Sequence, residues 1–173
     1  EELTRYTDQI AYEAALSGII LLKNENNIFP ITGQSNRKVV ITGSGRDKLL
    51  ECGSGSAGIT TNRTTSLKEE LEEVLGKDRV VIAEQVEWEQ VTADTTVIVV
   101  ASLSGMEGND RPDMELAEED RRILEALMEQ RECGCKAQSA LVLNTCGPVA
   151  LESYQGALDG IFCVFLPGMQ GGK

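Results

Sequence analysis

Continuous apolar runs constrain this 173-residue chain more than any other feature of its sequence. Three of them are TVIVVA at residues 96–101, ALVLN at residues 140–144 and GIFCVFL at residues 160–166. A strand with one side in water alternates apolar and polar residues, whereas a strand covered on both faces need not. The runs therefore predict strands that are buried on both sides.

Other segments extend this set of strands. The segments KVVIT, residues 38–42, and RVVIA, residues 79–83, are rich in β-branched residues and predict two further strands. The run GIILLK, residues 18–23, predicts a short strand or an extended segment. Each of these runs is short enough for a strand of ordinary length.

Amphipathic segments alternate with the strands. Apolar residues between Leu3 and Ser17 approximate helical spacing, and Gly18 is a suitable C-cap. Ser66 and Glu69 form a capping-box pattern that predicts a helix over residues 67–75. A third helix follows residue 117; its apolar stripe is Ile123, Leu124, Leu127 and Met128, and its helix-start acids are Glu118, Glu119 and Asp120.

Strands that alternate with helices predict an α/β fold. We expect a three-layer sandwich in which a mostly parallel β-sheet carries helices on both faces. A chain of this length fits a single domain spanning residues 1–173. Because the first residue is Glu1 rather than Met, we also expect this domain to be a piece of a longer protein.

The charge and hydropathy of the chain exclude several classes of partner. The formal net charge of −12 disfavours binding to nucleic-acid backbones and to anionic membranes, since both would repel the protein. No apolar run reaches about 18 residues, and no leader pattern is present, so we expect neither a membrane span nor a signal peptide.

The residue types also limit the chemistry. The chain contains no His, which is the usual base of Ser and Cys hydrolases and the commonest zinc ligand. Its five Cys are an odd number, and several lie in or beside apolar runs, which favours reduced thiols and a cytoplasmic setting. Trp88 is expected to be a partly buried packing residue rather than a platform for a sugar ring.

Two glycine-rich loops raise the question of phosphate binding. In ITGSGRDK, Lys48 occupies the third glycine position of the dinucleotide fingerprint, which argues against that function. After the loop Gly53–Gly58, GSGSAG, Ile59 and Thr60 follow where a phosphate loop has Lys and Ser or Thr, so the cation for the phosphates is missing. The loop Gly53–Gly58 still allows its backbone amides to approach a neutral polyhydroxyl ligand or another domain.

The loop SGMEGNDR, residues 104–111, places Glu107 between Gly105 and Gly108 just after a predicted buried strand. In open α/β sheets, ligands bind beyond the carboxyl ends of the strands, so Glu107 is a candidate functional acid. The residues alone also allow Glu107 to be a solvated turn charge. Asp110 and Arg111 are expected to orient the loop, either as a local pair or by pinning its backbone.

Four segments together resemble the carboxyl-side α/β domain of glycoside hydrolase family 3, a family of β-glucosidases, β-xylosidases and related exo-acting enzymes. They are AYEAALSGIILLKNENNIFPI at residues 11–31, the loop Gly53–Gly58, EGNDRPDMEL at residues 107–116 and FLPGMQGG at residues 165–172. The resemblance spans almost the whole chain.

The resemblance implies a function and a partner. It makes Glu107 the general acid/base of a retaining exo-glycosidase, most similar to β-glucosidases, that removes terminal non-reducing β-linked sugars. A (β/α)8 barrel of the same polypeptide would supply the Asp nucleophile, so residues 1–173 alone should be inactive. No metal or organic cofactor is implied, and Gly53–Gly58 is a candidate substrate-binding loop.

Two alternatives come from other functional classes. The domain could be a noncatalytic carbohydrate-binding or scaffold module whose loop merely closes over a barrel. It could also be a nucleotide-binding α/β protein, which would require phosphate recognition by the glycine-rich loops. Sugar binding by the isolated domain would favour the first alternative, and nucleotide binding would favour the second.

Overall fold

The computed structural model of the protein describes residues 2–60 and 66–172. In these ranges the α-helices are α1 (Glu2–Gly18), α2 (Leu67–Leu75) and α3 (Glu118–Glu132). The strands are β1 (Ile20–Asn24), β2 (Lys38–Thr42), β3 (Val80–Ile82), β4 (Thr95–Leu103), β5 (Gln138–Thr145) and β6 (Gly160–Cys163).

The strands form one six-stranded sheet in the order β1-β6-β5-β4-β2-β3. Strands β2 to β6 pair in parallel, and β1 joins β6 in the antiparallel direction at one edge. The predicted mostly parallel sheet is therefore confirmed. The two longest strands, β4 and β5, lie at the centre, where nearly every residue is buried, as their continuous apolar runs predict.

Helices cover the sheet on both faces. On one face Leu124 and Leu127 of α3 pack in a cluster with strand residues such as Val99. On the other face Leu71 and Leu75 of α2 pack in a second cluster with strand residues such as Val100. Because adjacent strand residues point to opposite faces, β4 contributes to both clusters. This arrangement confirms the three-layer α/β sandwich.

Most predicted element boundaries agree with the structure. β2 spans the predicted segment, and α2 begins at its predicted capping box, in which the side chains of Ser66 and Glu69 each accept a hydrogen bond from the other's backbone N–H. The stripe of α3 also faces the core, with Leu124 and Leu127 buried. Trp88 is partly buried against the same cluster, as expected.

The predicted strand over residues 160–166 is wrong at its carboxyl end. β6 stops at Cys163, although the N–H of Val164 still donates to Leu143 O at 2.8 Å. Phe165 then adopts φ 51°, in the left-handed region, which turns the chain away from the sheet. An apolar run cannot reveal this turn because Phe165 has no special turn chemistry.

The cysteines only partly follow the expectation of buried thiols. All five are free; Cys163 is buried, but Cys133 and Cys146 are exposed. Among the helices of residues 2–60 and 66–172, none combines the length and the apolar character that crossing a membrane requires.

The amino-terminal elements leave apolar side chains in solvent. Tyr6, Ile10 and Leu16 of α1 and Leu21 and Leu22 of β1 are all exposed within the chain. α1 contacts the turn at Gly168–Gln170. This combination of exposed apolar residues on two neighbouring elements is typical of a surface that another domain covers.

We predict that Leu127→Ala lowers the free energy of unfolding of residues 1–173 by about 2–5 kcal/mol, because Leu127 is fully buried between α3 and the sheet. The matched control is Leu22→Ala, since Leu22 is exposed and its truncation should change stability by only about 0.5 kcal/mol. Urea unfolding followed by circular dichroism measures both. Equal losses for the two variants would contradict this account of the core.

Candidate functional site

The carboxyl ends of four parallel strands meet at one edge of the sheet. β2, β4, β5 and β6 end there, and the segments after them form neighbouring loops. The two loops that the sequence singles out, Gly53–Gly58 and the loop of Glu107, follow β2 and β4 respectively. The fold therefore brings both candidate loops to the edge where open α/β sheets bind ligands.

Glu107 lies at the tip of a tight turn. The N–H of Asn109 donates to Met106 O at 3.1 Å, which leaves Glu107 and Gly108 as the two central residues. Gly108 has φ 76°, as the third residue of a type II turn requires. A Cβ on Gly108 would meet no neighbour within 4 Å, so backbone conformation rather than space calls for glycine there. The turn presents the Glu107 side chain to solvent.

The loop Gly53–Gly58 lies directly against this turn. Both the N–H and the hydroxyl of Ser54 donate to Gly105 O at 3.3 Å. The hydroxyl of Ser56 donates to the Oε2 carboxylate atom of Glu107. A Cβ on Gly55 would lie 3.6 Å from the Cβ of Glu107, so the two backbones approach closely. The two candidate loops thus form one unit.

Arg111 connects the same loop to the segment after β5. Its Nη2 atom donates to Pro148 O, which pins the loop backbone. Among the ion pairs of the residues that the structure describes, none joins Arg111 to Asp110, so the local pair allowed by the sequence is not formed. Asp110 is exposed, and both residues line a surface cavity of about 350 Å³ together with Met106 and Met114.

Sequence analysis missed a polar network at this edge, which we call the carboxyl-edge network: the buried Asp120 and Asn144 with the partly buried Ser102 and the exposed Ser44. Asp120 is fully buried and accepts hydrogen bonds at 2.7 Å from both the N–H and the hydroxyl of Ser44. The Ser102 N–H in turn donates to the Ser44 hydroxyl at 2.9 Å. The position of Asp120 four residues before Leu124, on the apolar stripe of α3, is the signal that could have revealed its burial.

Asn144 completes the network. Its side chain is fully buried, and its Nδ2 atom donates to Leu50 O at 3.0 Å and to Phe165 O at 2.6 Å. Its Oδ1 atom accepts from the Leu50 N–H at 2.5 Å and from the Ser102 hydroxyl at 2.9 Å. These four hydrogen bonds use both donors and both lone pairs of the amide. An amide at the end of a continuous apolar run is the sequence signal.

Burial raises the pKa of Asp120 above its ordinary value. The hydrogen bonds from Ser44 act in the opposite direction, because they favour the charged carboxylate. The negative charge of Glu119 raises the pKa further, and the positive charge of Arg46 lowers it. Arg46 itself forms an ion pair with Glu119, at 2.6 Å.

The loop after β2 offers few amides to a phosphate. The N–H of Ser44 donates to Asp120, the N–H of Gly45 to Val100 O and the N–H of Arg46 to Gly43 O. These internal bonds argue against a dinucleotide site in this loop, since phosphate binding needs free N–H groups. No group of three or more Cys, Asp or Glu within residues 2–60 and 66–172 is placed to hold a metal ion.

Comparisons with known proteins connect this chain to a family. Residues 19–173 match the family described as glycosyl hydrolase family 3 C-terminal domain. Beta-glucosidase 1 of Saccharomycopsis fibuligera is 26% identical over an alignment that covers 86% of this chain and 20% of the relative. The chain therefore spans about a fifth of the length of that curated relative.

Solved structures agree on the fold. Beta-glucosidase 3B from Thermotoga neapolitana, solved in complex with glucose, matches with a TM-score of 0.75 at 20% identity, covering 98% of this chain and 28% of the other. Beta-glucosidase D2-BGL from Chaetomella raphigera matches with a TM-score of 0.77 at 18% identity, covering 96% of this chain and 27% of the other.

We predict that the free energy of unfolding of the wild type falls relative to that of Asp120→Asn as the pH rises above about 4, the ordinary pKa of Asp. Because the pKa of Asp120 is raised in the folded state, the folded protein binds the proton more tightly than the unfolded chain. Its contribution to stability is therefore complete at lower pH and is lost as the pH rises through the folded pKa. Urea unfolding of both proteins from pH 4 to pH 8 measures this difference, and a difference that rises with pH would contradict the assignment.

Proposed function

The chain belongs to the family of glycosyl hydrolase family 3 C-terminal domains, and we propose that it serves a retaining exo-acting β-glucosidase-like hydrolase in which Glu107 is the general acid/base. The substrates are terminal non-reducing β-linked glucosides or oligosaccharides. The site is shared with a (β/α)8 barrel domain of the same polypeptide, which supplies the nucleophile. The relatives named beta-glucosidase support the choice of substrate class.

The exposed position of Glu107 is the observation that carries the proposal. The Glu107 turn projects the carboxylate from the sheet edge, and the loop Gly53–Gly58 supports the turn from one side. A carboxylate that must act on a substrate held mainly by another domain has to lie at the surface of its own domain. Asp120 cannot reach a substrate held by another domain, because its side chain is fully buried.

The carboxyl group of Glu107 is suited to the first chemical step. Among the described contacts, the Ser56 hydroxyl engages only Oε2, so Oε1 can face the glycosidic oxygen. In its protonated form Glu107 donates its proton to that oxygen as the bond from the oxygen to the anomeric carbon breaks. The barrel carboxylate forms a new bond to the anomeric carbon from the opposite face. Retention requires the two carboxyl groups to lie about 5 Å apart.

The second step returns Glu107 to its starting state. The Glu107 carboxylate removes a proton from water, and the water oxygen attacks the anomeric carbon and releases the barrel carboxylate. The product keeps the β configuration because two inversions occur in sequence. Ser56 can hold Oε2 in both steps, since a hydroxyl both donates and accepts hydrogen bonds.

Two observations support the barrel partner: the small fraction of its relatives' length that this chain covers, and the exposed apolar surface of the chain. The two aligned structures described above are about three and a half times as long as this chain, which covers 28% and 27% of them. The exposed apolar residues of α1 and β1 offer a surface for another domain to cover. Because the nucleophile is proposed to lie in the barrel, we expect residues 1–173 alone to be inactive.

We predict that Glu107→Gln, in the complete natural polypeptide that carries this chain, slows hydrolysis of aryl β-glucosides with poor leaving groups by about 10²–10⁴-fold. Activated phenols should be released in the first step at nearly the wild-type rate, since they leave without a proton. Steady-state and burst kinetics across a series of phenol pKa values measure both effects. The matched control is Glu84→Gln, which removes the charge of an exposed glutamate in the loop after β3.

An equal loss in the first-step rate on good and poor leaving groups would contradict the role of Glu107 as proton donor. The noncatalytic alternative makes a different forecast: Glu107→Gln would leave hydrolysis unchanged, and glucose would bind residues 1–173 with the same affinity before and after the substitution. Isothermal titration calorimetry on the wild type and on the Glu107→Gln variant distinguishes this outcome.

A further inference from the structure

We propose that Asn144 is a positioning residue that fixes the Glu107 loop and the loop Gly53–Gly58 relative to one another; this inference rests on the proposed catalytic role of Glu107. Asn144 lies at the carboxyl end of β5, and its four side-chain hydrogen bonds go to Leu50, Ser102 and Phe165 rather than to either loop tip. It acts on the stems of both loops, the residues through which each loop leaves the body of the domain.

The hydrogen bonds of Asn144 reach both stems. Leu50 lies three residues before Gly53, and both its N–H and its C=O are bonded to the Asn144 amide. Ser102 lies three residues before Gly105, pairs with Asn144 in the parallel register of β4 and β5, and donates its hydroxyl to Oδ1 at 2.9 Å. One planar side chain therefore sets the distance between the two stems.

The stems are held by a network with two fully buried members, Asn144 and Asp120. Asn144 is fully buried, and all four hydrogen-bonding positions of its amide are used. Ser102 is fixed a second time by its N–H, which donates to the Ser44 hydroxyl at 2.9 Å. Ser44 is fixed in turn by two hydrogen bonds to the buried Asp120. Breaking a bond to Asn144 or to Asp120 leaves a polar group of a buried residue unpaired, which is costly.

The loop tips, in contrast, are held weakly. Residues 104 and 106–110 are exposed, and the hydrogen bonds between the tips run from Ser54 and Ser56 to Gly105 and Glu107, beside the close approach of Gly55 to Glu107. Because few contacts hold the tips, their relative position depends on the stems. A displacement of a catalytic group by about 1 Å can lower a rate about 10²-fold. The stems therefore determine whether Glu107 reaches the glycosidic oxygen.

Two variants test this role, and they differ in how many hydrogen bonds of the network they remove. Asn144→Asp keeps the shape of the side chain but replaces the amide donor with an oxygen, so the bonds to Leu50 O and Phe165 O are lost. Ser102→Ala removes only the single hydrogen bond to Oδ1 and therefore remains informative if Asn144→Asp fails to fold.

The matched control is Ser139→Ala. Ser139 lies on the same strand, β5, but at its amino end, and its fully buried hydroxyl donates to Ala157 O at 2.8 Å. Its hydroxyl also accepts a hydrogen bond from Arg131 Nη2 at 2.9 Å, so Ser139→Ala should destabilise the fold at least as much as Ser102→Ala does. It should not disturb either loop at the opposite edge of the sheet.

The first measurement is hydrogen–deuterium exchange of the complete natural polypeptide, which does not depend on catalysis. We expect Ser102→Ala and Asn144→Asp to accelerate amide exchange at residues 50–58 and 103–109, while Ser139→Ala leaves exchange there as in the wild type. Unchanged exchange in both loops for Ser102→Ala would overturn the positioning role.

The second measurement is the dependence of hydrolysis on the leaving group. We expect Ser102→Ala and Asn144→Asp to slow poor leaving groups at least about 10-fold more than good ones, and to add no further slowing in the Glu107→Gln background. An equal loss for all leaving groups, or a full additional loss in that background, would overturn the inference. If Glu107→Gln itself shows no leaving-group dependence, the proposed function fails, and the catalytic part of this inference fails with it. Hydrogen–deuterium exchange would still decide in that case whether Asn144 fixes the two loops.

Discussion

The parallel pairing of β2, β4, β5 and β6 is the constraint on which the rest of this structure depends. Parallel strands end at the same edge, so the loops that follow them become neighbours although they are far apart in sequence. Two apolar layers, packed on α2 and α3, hold the sheet in place. The Glu107 turn, the loop Gly53–Gly58 and the carboxyl-edge network all follow from this single arrangement.

The fold could be predicted because its signals are local and repeated. The continuous runs in β4 and β5 show burial on both faces, and the capping box marks the start of α2. The end of β6 could not be predicted in this way. Phe165 leaves the sheet with φ 51° while its carbonyl accepts a hydrogen bond from Asn144, a residue 21 positions earlier. Such a turn depends on a tertiary contact that an apolar run does not encode.

The candidate site likewise contains residues with local sequence signals and residues whose roles depend on tertiary contacts. Glu107 and the loop Gly53–Gly58 could be proposed as site residues from glycine placement and from the family resemblance, because a turn tip needs specific local residues. Asn144 and Asp120 carry weaker signals, since an amide at a strand end and an acid at a helix start also occur as ordinary polar residues. Their importance comes from the partners Leu50 and Ser44, which lie 94 and 76 positions away in sequence. Buried polar residues within apolar patterns are the feature that sequence analysis should examine first.

The most direct test of Glu107 as general acid/base uses azide on the Glu107→Ala variant of the complete natural polypeptide. With the carboxylate removed, water lacks a base, and the glycosyl-enzyme formed from an activated aryl β-glucoside should accumulate. Azide is an anion that needs no base, so we expect it to restore turnover and to yield the β-glucosyl azide, which nuclear magnetic resonance identifies. A variant whose turnover azide leaves unchanged, or a product with the α configuration, would contradict the assignment of Glu107.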